Sequence, residues 1–164
     1  MLKFIQKPIC LDPQDLDQNL KLSLLIKAKE IWVGKCTKED GYILEVVDIA
    51  EILDNFISPA TTSILFTLKL VAKVLKPEIK KCFNTCVTMV LQQGIFTLCE
   101  DILNILVPIS QLIGYDFDGT KGVYKSTLDP ENVISIKTQI QVEITAIRYE
   151  KNKFTCIGKL KVMN

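Results

Sequence analysis

Between Gln139 and Tyr149 the side chains alternate, with Ile140, Val142, Ile144 and Ala146 on one side and Gln141, Glu143, Thr145 and Ile147 on the other. Glu150-Lys151-Asn152-Lys153 breaks the pattern and Phe154 to Leu160 restarts it. A period of two on both sides of a short polar break is the pattern of a β-hairpin and excludes a helix over this stretch. The same logic recurs near the front, where Val33-Gly34-Lys35-Cys36-Thr37 runs into Lys38-Glu39-Asp40-Gly41 and out along Tyr42 to Val47. These hairpins bracket a chain of two small β-rich units.

The first unit opens with a strand over Leu2 to Leu11. Asp12-Pro13 then starts a helix, with Asp12 as N-cap, Pro13 at the first helical position and Asp15 in the first turn. Leu16, Leu20 and Leu24 form its buried stripe, and Lys27 and Lys29 near its end suit the negative pole of the helix dipole. After the first hairpin, Tyr42 to Ile49 weakens as a pattern through Phe56, and Ser58 to Ser63 is a loop. Ile64 to Leu75 is the strongest strand: Ile64, Phe66, Leu68, Leu70, Ala72 and Val74 share a face, with Thr67, Lys69 and Lys73 opposite. Pro77 ends it and places the boundary at Lys76 to Glu78.

The second unit offers strands over Lys81 to Leu91, Ile95 to Cys99 and Ile102 to Val107, then a turn of helix at Pro108 to Leu112. A connection from Ser110 to Ser135 follows, read as flexible from Gly114, Gly119 and Gly122, before the closing hairpin. Short strands with the long connection between the third and fourth are the plan of an OB barrel, a partly open Greek-key barrel whose exposed face binds single-stranded nucleic acid. The expected fold class is thus an α+β unit, made of a strand, a helix and an antiparallel sheet, over residues 1–77. An all-β, five-stranded OB barrel is expected over 78–164.

Composition narrows the function. Lysine and arginine number 20 against 19 acidic residues, a net charge of +1, so the chain lacks the field of a dedicated duplex-DNA binder. Histidine is absent, which removes the commonest general base and every triad that uses imidazole. Glu39-Asp40, Glu100-Asp101 and Asp116 with Asp118 read as turn residues, and there is no GxGxxG or GxxxxGK[ST] loop for phosphate. No enzyme activity and no cofactor are expected. Cys36 or Cys99 as a nucleophile has no visible base beside it. The six cysteines are expected to be reduced, buried thiols and not zinc ligands. Hydrophobic residues make up 48% and the mean hydropathy is +0.25, yet no apolar run reaches membrane-spanning length. Met1 to Cys10 lacks the apolar core of a secretory signal, so an intracellular, reducing location is expected.

Several segments carry a likeness in order and spacing: Gly34-Lys35-Cys36, Asp40-Gly41-Tyr42-Ile43-Leu44, Val71 to Pro77, Gly94-Ile95-Phe96-Thr97, Tyr124-Lys125, Val133 to Lys137 and Ile157-Gly158-Lys159-Leu160. Together they resemble the larger stalk subunit of multisubunit DNA-directed RNA polymerases. That family occurs in archaeal, eukaryotic and large DNA virus enzymes and joins an N-terminal tip domain to an S1-type OB domain. The Ser58 to Ser63 loop is shorter than in cellular relatives and the chain stops at Lys161-Val162-Met163-Asn164, departures that point to a viral version.

The resemblance implies a non-catalytic subunit that docks near the clamp of the polymerase, aids initiation and contacts emerging RNA. Its implied partners are the polymerase core subunits (the largest subunit and the clamp base), a smaller helical stalk subunit and, weakly, nascent RNA. A cellular version would sit in the nucleus and a viral one in the cytoplasm or virion. Core docking falls on Gly34, Lys35, Gly41 and Tyr42, where both glycines also suit an ordinary hairpin. RNA contact falls on Lys81, Phe83, Phe96, Tyr124, Lys125 and Arg148, aromatic platforms beside cations. Phe83 or Phe96 is more often a core residue than a base platform, since alternation turns half of all strand positions inward. The alternative is a freestanding OB-type RNA-binding protein, such as a translation factor.

Overall fold

The structure, a computed structural model, describes residues 1–16 and 19–161. It divides into two compact units, Met1–Lys76 and Pro77–Asn164.

In the first unit, β1 (Leu2–Leu11), β2 (Cys36–Thr37), β3 (Gly41–Ile57) and β4 (Ile64–Leu75) form an antiparallel sheet in the order β1-β4-β3-β2. Pro8, which has no N–H to give, is tolerated because β1 is an edge strand bonded on one side only. One helix, α1 (Leu20–Trp32), supplies Leu24 and Ala28 to a core completed by Ile5, Ile9, Ile43, Leu68 and Leu70. Each of the leucine and isoleucine side chains, taken fully out of water, contributes about 1.5–3 kcal/mol.

The helix differs from the sequence expectation. Pro13–Asp15 makes only a 3₁₀ turn, and Asp12 forms no side-chain cap on it. The α-helix starts at Leu20 with Asn19 as the true cap, its side chain accepting from the Leu22 N–H at 3.2 Å, and it runs on to Trp32. Leu16 is 39% exposed and takes no part in the buried stripe. The expected helix also spans Asp17 and Gln18, which lie outside the described residues.

Strand β3 is longer than its alternation suggests because it does not alternate. Its register against β4 slips between Ile43 and Glu45, Val46 and Asp48, Ile49 and Glu51, and Ile52 and Asp54. The sequence repeats in triplets to match: Ile-Leu-Glu, Val-Val-Asp, Ile-Ala-Glu, Ile-Leu-Asp. Each triplet of β3 spans two residues of β4, and the extra residue is the unpaired member of a β-bulge. Ile43, Val46 and Ile49 therefore face the core at every third position, while Glu45, Asp48 and Glu51 stay outside. Asp48 and Asp54 help hold the bulges, their carboxylates accepting from the N–H groups of Ile49 and Asn55 at 2.7 and 2.8 Å.

In the second unit β5 (Cys82–Leu91), β6 (Gly94–Cys99), β7 (Leu103–Pro108), β11 (Gln139–Glu150) and β12 (Lys153–Leu160) close a barrel in the order β11-β12-β7-β6-β5. All its pairs are antiparallel except β12 with β7. A meander of three strands, a fifth inserted parallel to the third and a fourth returning to the first is the Greek-key closure of an OB barrel.

Val87, Ile95, Leu103, Ile105, Val142, Ile144 and Cys156 fill the interior. Gly158 is required on β12: a Cβ there would run into Val142 Cγ1 and lie 2.9 Å from the Glu143 carbonyl oxygen. The β11–β12 pairing runs out to Glu150 and Lys153, leaving Lys151 and Asn152 as a two-residue turn with φ of 53° and 60°. Positive φ at both positions gives a turn whose twist matches the flanking strands.

The connection before β11 is not a flexible loop. It holds a second sheet of β8 (Tyr115–Asp118), β9 (Val123–Ser126) and β10 (Val133–Ile134), in the order β10-β9-β8. Gly114 and Gly122 mark turns of this sheet, with φ of 85° and 65°.

Candidate nucleic-acid interface

Because β5, β6, β7, β12 and β11 alternate, every second side chain points away from the barrel interior. Register places five of these outward residues in one row: Met89 opposite Phe96, Phe96 opposite Leu106, Leu106 opposite Ile157, and Ile157 opposite Ala146. Met89 is 49% exposed, Phe96 38% and Ile157 40%. Next to it runs a more polar row, in which Arg148 faces Thr155, Thr155 faces Asn104 and Asn104 faces Leu98. Lys151 and Lys153 extend the cationic end around the β11–β12 turn, both exposed. An apolar strip with one aromatic ring and a cationic rim matches the general design of single-strand binding surfaces, where base faces stack and cations track phosphates.

The structure separates the expected RNA-contact residues. Phe96 and Arg148 lie on this outer face. Phe83 points into the barrel and is 8% exposed, with the Lys81 ammonium 5.3 Å from its ring centroid. Tyr124 is fully buried, its hydroxyl bonded to two main-chain carbonyls, so its ring offers no face to a base. Lys125 pairs with Asp118 at 3.0 Å within the small sheet, and the hydrogen bond from Lys125 holds the Asp118 carboxyl below the usual range. Met89, Leu106 and Ile157 escaped the sequence reading. Outward apolar positions look like core positions in a strand until closure of the barrel decides which side is inside.

Charge on the face is partly spent on neighbours. Arg148 Nη2 lies 2.8 Å from Glu150, a pair in which both side chains are well exposed and which competes weakly with an incoming phosphate. Lys159 and Glu143 pair at 2.9 Å, which raises the lysine and lowers the carboxyl.

In the first unit, the expected docking set is also divided. Gly34 and Lys35 are exposed, following α1, whereas Gly41 and Tyr42 are buried in the sheet. Gly41 has φ of 81°, and a Cβ on it would meet the Leu75 carbonyl oxygen at 2.5 Å, so packing against β4 explains this glycine without a partner. The thiols also depart from expectation: only Cys99 and Cys156 are buried, and Cys10 is exposed. Burial pushes the Cys36, Cys99 and Cys156 thiols up to about 11, far from nucleophilic at neutral pH.

Fold and face together define a two-unit protein whose second unit is an OB-type barrel with an exposed apolar strip. No protein-family model matches the chain. Among solved structures it is similar to the apo form of Mycoplasma genitalium RNase R, at 18% identity and a TM-score of 0.40, covering 49% of this chain and 13% of that one. It is also similar to GSP13 from Bacillus subtilis, at 21% identity and a TM-score of 0.38, covering 52% of this chain and 56% of that one. The chain thus spans a small part of the first and little over half of the second, and neither likeness assigns a function.

Proposed function

We propose that the chain is a non-catalytic protein that binds single-stranded RNA on the outer face of its barrel. The observation that carries this reading is the continuous outward row Met89, Phe96, Leu106, Ile157 and Ala146, exposed except for the half-buried Leu106, beside Arg148, Lys151 and Lys153. Phe96 stacks a base, the aliphatic neighbours pack against ribose and base faces, and the cations follow the backbone. With about three cations engaged, log affinity falls with log salt at a slope of roughly −2. Fluorescence anisotropy with labelled single-stranded and duplex RNA across a salt series tests this. Equal affinity for both forms, or no binding at low salt, rejects it.

At finer grain, the protein acts as the larger stalk subunit of a multisubunit RNA polymerase, docking through its N-terminal unit while the barrel meets the transcript. What supports this is the pairing of a strand–helix–sheet unit with an OB barrel, together with the likeness of the segments around Gly34, Gly41, Gly94 and Gly158. Affinity purification from the source cells or infected extracts, followed by mass spectrometry, separates this from a freestanding RNA-binding protein. Near-stoichiometric recovery of the largest polymerase subunit is expected, and recovery with ribosomes or as a lone monomer favours the freestanding reading.

A further inference from the structure

A cleft of about 340 Å³ lies within the second unit between the small sheet and the barrel strands β11 and β12. Its wall includes Leu128 and Ile113, at 93% and 78% exposure the two most exposed large hydrophobic side chains among the described residues. Exposing both at one concave place carries a hydration cost that a bound apolar surface would remove. The remaining wall mixes apolar Ile140 and Leu160 with polar groups. Tyr115 adds an aromatic ring whose hydroxyl accepts from Asn132 Nδ2 at 2.9 Å, and the side-chain amides of Gln139 and Gln141 have no protein hydrogen-bond partner among the described residues. Lys161 lies at the same cleft, 3.4 Å from Cys82 Sγ and with no acidic side chain in ion-pair range among the described residues.

We infer that this cleft takes one splayed-out nucleobase of a bound RNA strand, as a second site separate from the Phe96 face. A volume near the low end of ligand pockets suits one nucleoside and no more. Amides offer donor and acceptor together, the pair needed to read the edge of an unpaired base, while Leu128 and Tyr115 cover its faces and Lys161 neutralises a phosphate. A peptide side chain would fill the apolar part and leave both glutamine amides unused. Contact at this second site makes affinity depend on RNA length beyond the footprint of the Phe96 face. The inference rests on the RNA-binding reading above.

The test uses the whole chain and two RNAs, one of about four nucleotides and one of about twelve, the span of OB footprints, each carrying photoreactive 4-thiouridine. The longer RNA is expected to crosslink to peptides of β6–β7 and also to the segment holding Tyr115 and Leu128. Gln139→Ala/Gln141→Ala, at surface amides, is expected to keep the circular dichroism of the parent and to weaken the longer RNA about tenfold. It should also erase the second crosslink and leave the shorter RNA within about twofold. Tyr115→Phe, which keeps the ring, retains the crosslink. Binding with crosslinks confined to β6–β7, or undiminished affinity of the double variant for the longer RNA, overturns the second site while the RNA reading stands. No binding of either RNA overturns both.

Discussion

The single proton of the Tyr124 hydroxyl is shared between the Leu91 carbonyl oxygen at 2.5 Å and that of Gln92 at 3.1 Å, pinning β9 of the small sheet to the turn between β5 and β6. A residue that looks from sequence like a base platform is thus a structural fastener, and burial pushes its phenol above the ordinary value. Removing only the oxygen takes away the one donor that these two carbonyls share. Tyr124→Phe is expected to lower stability by about 1–2 kcal/mol, read as a shift in the denaturant midpoint, while affinity for RNA stays within about twofold.

Phe96 and Phe83 separate function from packing. Phe96→Ala removes a ring that is 38% exposed on the outer row, so RNA affinity is expected to fall about tenfold with little change in melting temperature. Phe83→Ala opens space inside the barrel, with a cost of about 3–5 kcal/mol in unfolding free energy. Reversal of the two effects would show that bases bind elsewhere.

A Cβ on Gly158 of β12 would meet Val142, Ile105 and the Glu143 carbonyl oxygen. Gly158→Ala forces one of these neighbours or the Glu143 backbone to move, and overpacking of this kind costs about 1–3 kcal/mol. Thermal unfolding of the isolated variant reads the loss directly. A wild-type melting temperature would mean that the barrel is looser at this seam than its geometry indicates.

Asp40 joins the β2–β3 turn to β1 through Lys7 at 2.8 Å and Lys3 at 3.7 Å, and it accepts from the Thr37 hydroxyl at 3.3 Å. Burial alone would push its carboxyl up, but the bonds and charges of Lys7, Lys3 and Thr37 outweigh burial and hold it below the usual range. A lowered folded pKa means that the stabilisation is complete above the unfolded value, about 3.9, and fades as pH falls through the folded one. Melting temperatures are expected to hold from neutral pH to about 5 and to decline below about 4. Asp40→Asn should flatten part of that decline and cost about 1–3 kcal/mol at neutral pH by leaving the Lys7 ammonium short of its partner. An identical acid profile in parent and variant would assign the acid sensitivity to other carboxylates.

Much of the fold was legible because period two is a local property. β1, β4 and the β11–β12 hairpin follow from the alternation of Ile5 and Ile9, of Phe66, Leu68 and Leu70, and of Val142 and Ile144. β3 was half-hidden because its triplets satisfy neither the strand nor the helix period, and only a bulged strand accommodates three residues against two. The small sheet is not legible in the sequence because its strands are short and bounded by Gly114 and Gly122, so its turn signals outweigh its strand signals. The α-helix starts later than Asp12-Pro13 signals, because the chain uses that start signal only for a 3₁₀ turn.

By itself the sequence determined which residues share a side of each regularly alternating strand, and that no imidazole chemistry is available. Only the tertiary structure decided which of those sides faces inward. Alternation divides a strand into two sets without choosing between them, and the choice is made when β12 inserts beside β7 and β11 closes on β5. That closure buried Phe83, brought Phe96 into line with Met89, Leu106 and Ile157, and left an exposed apolar face that no single segment could have announced.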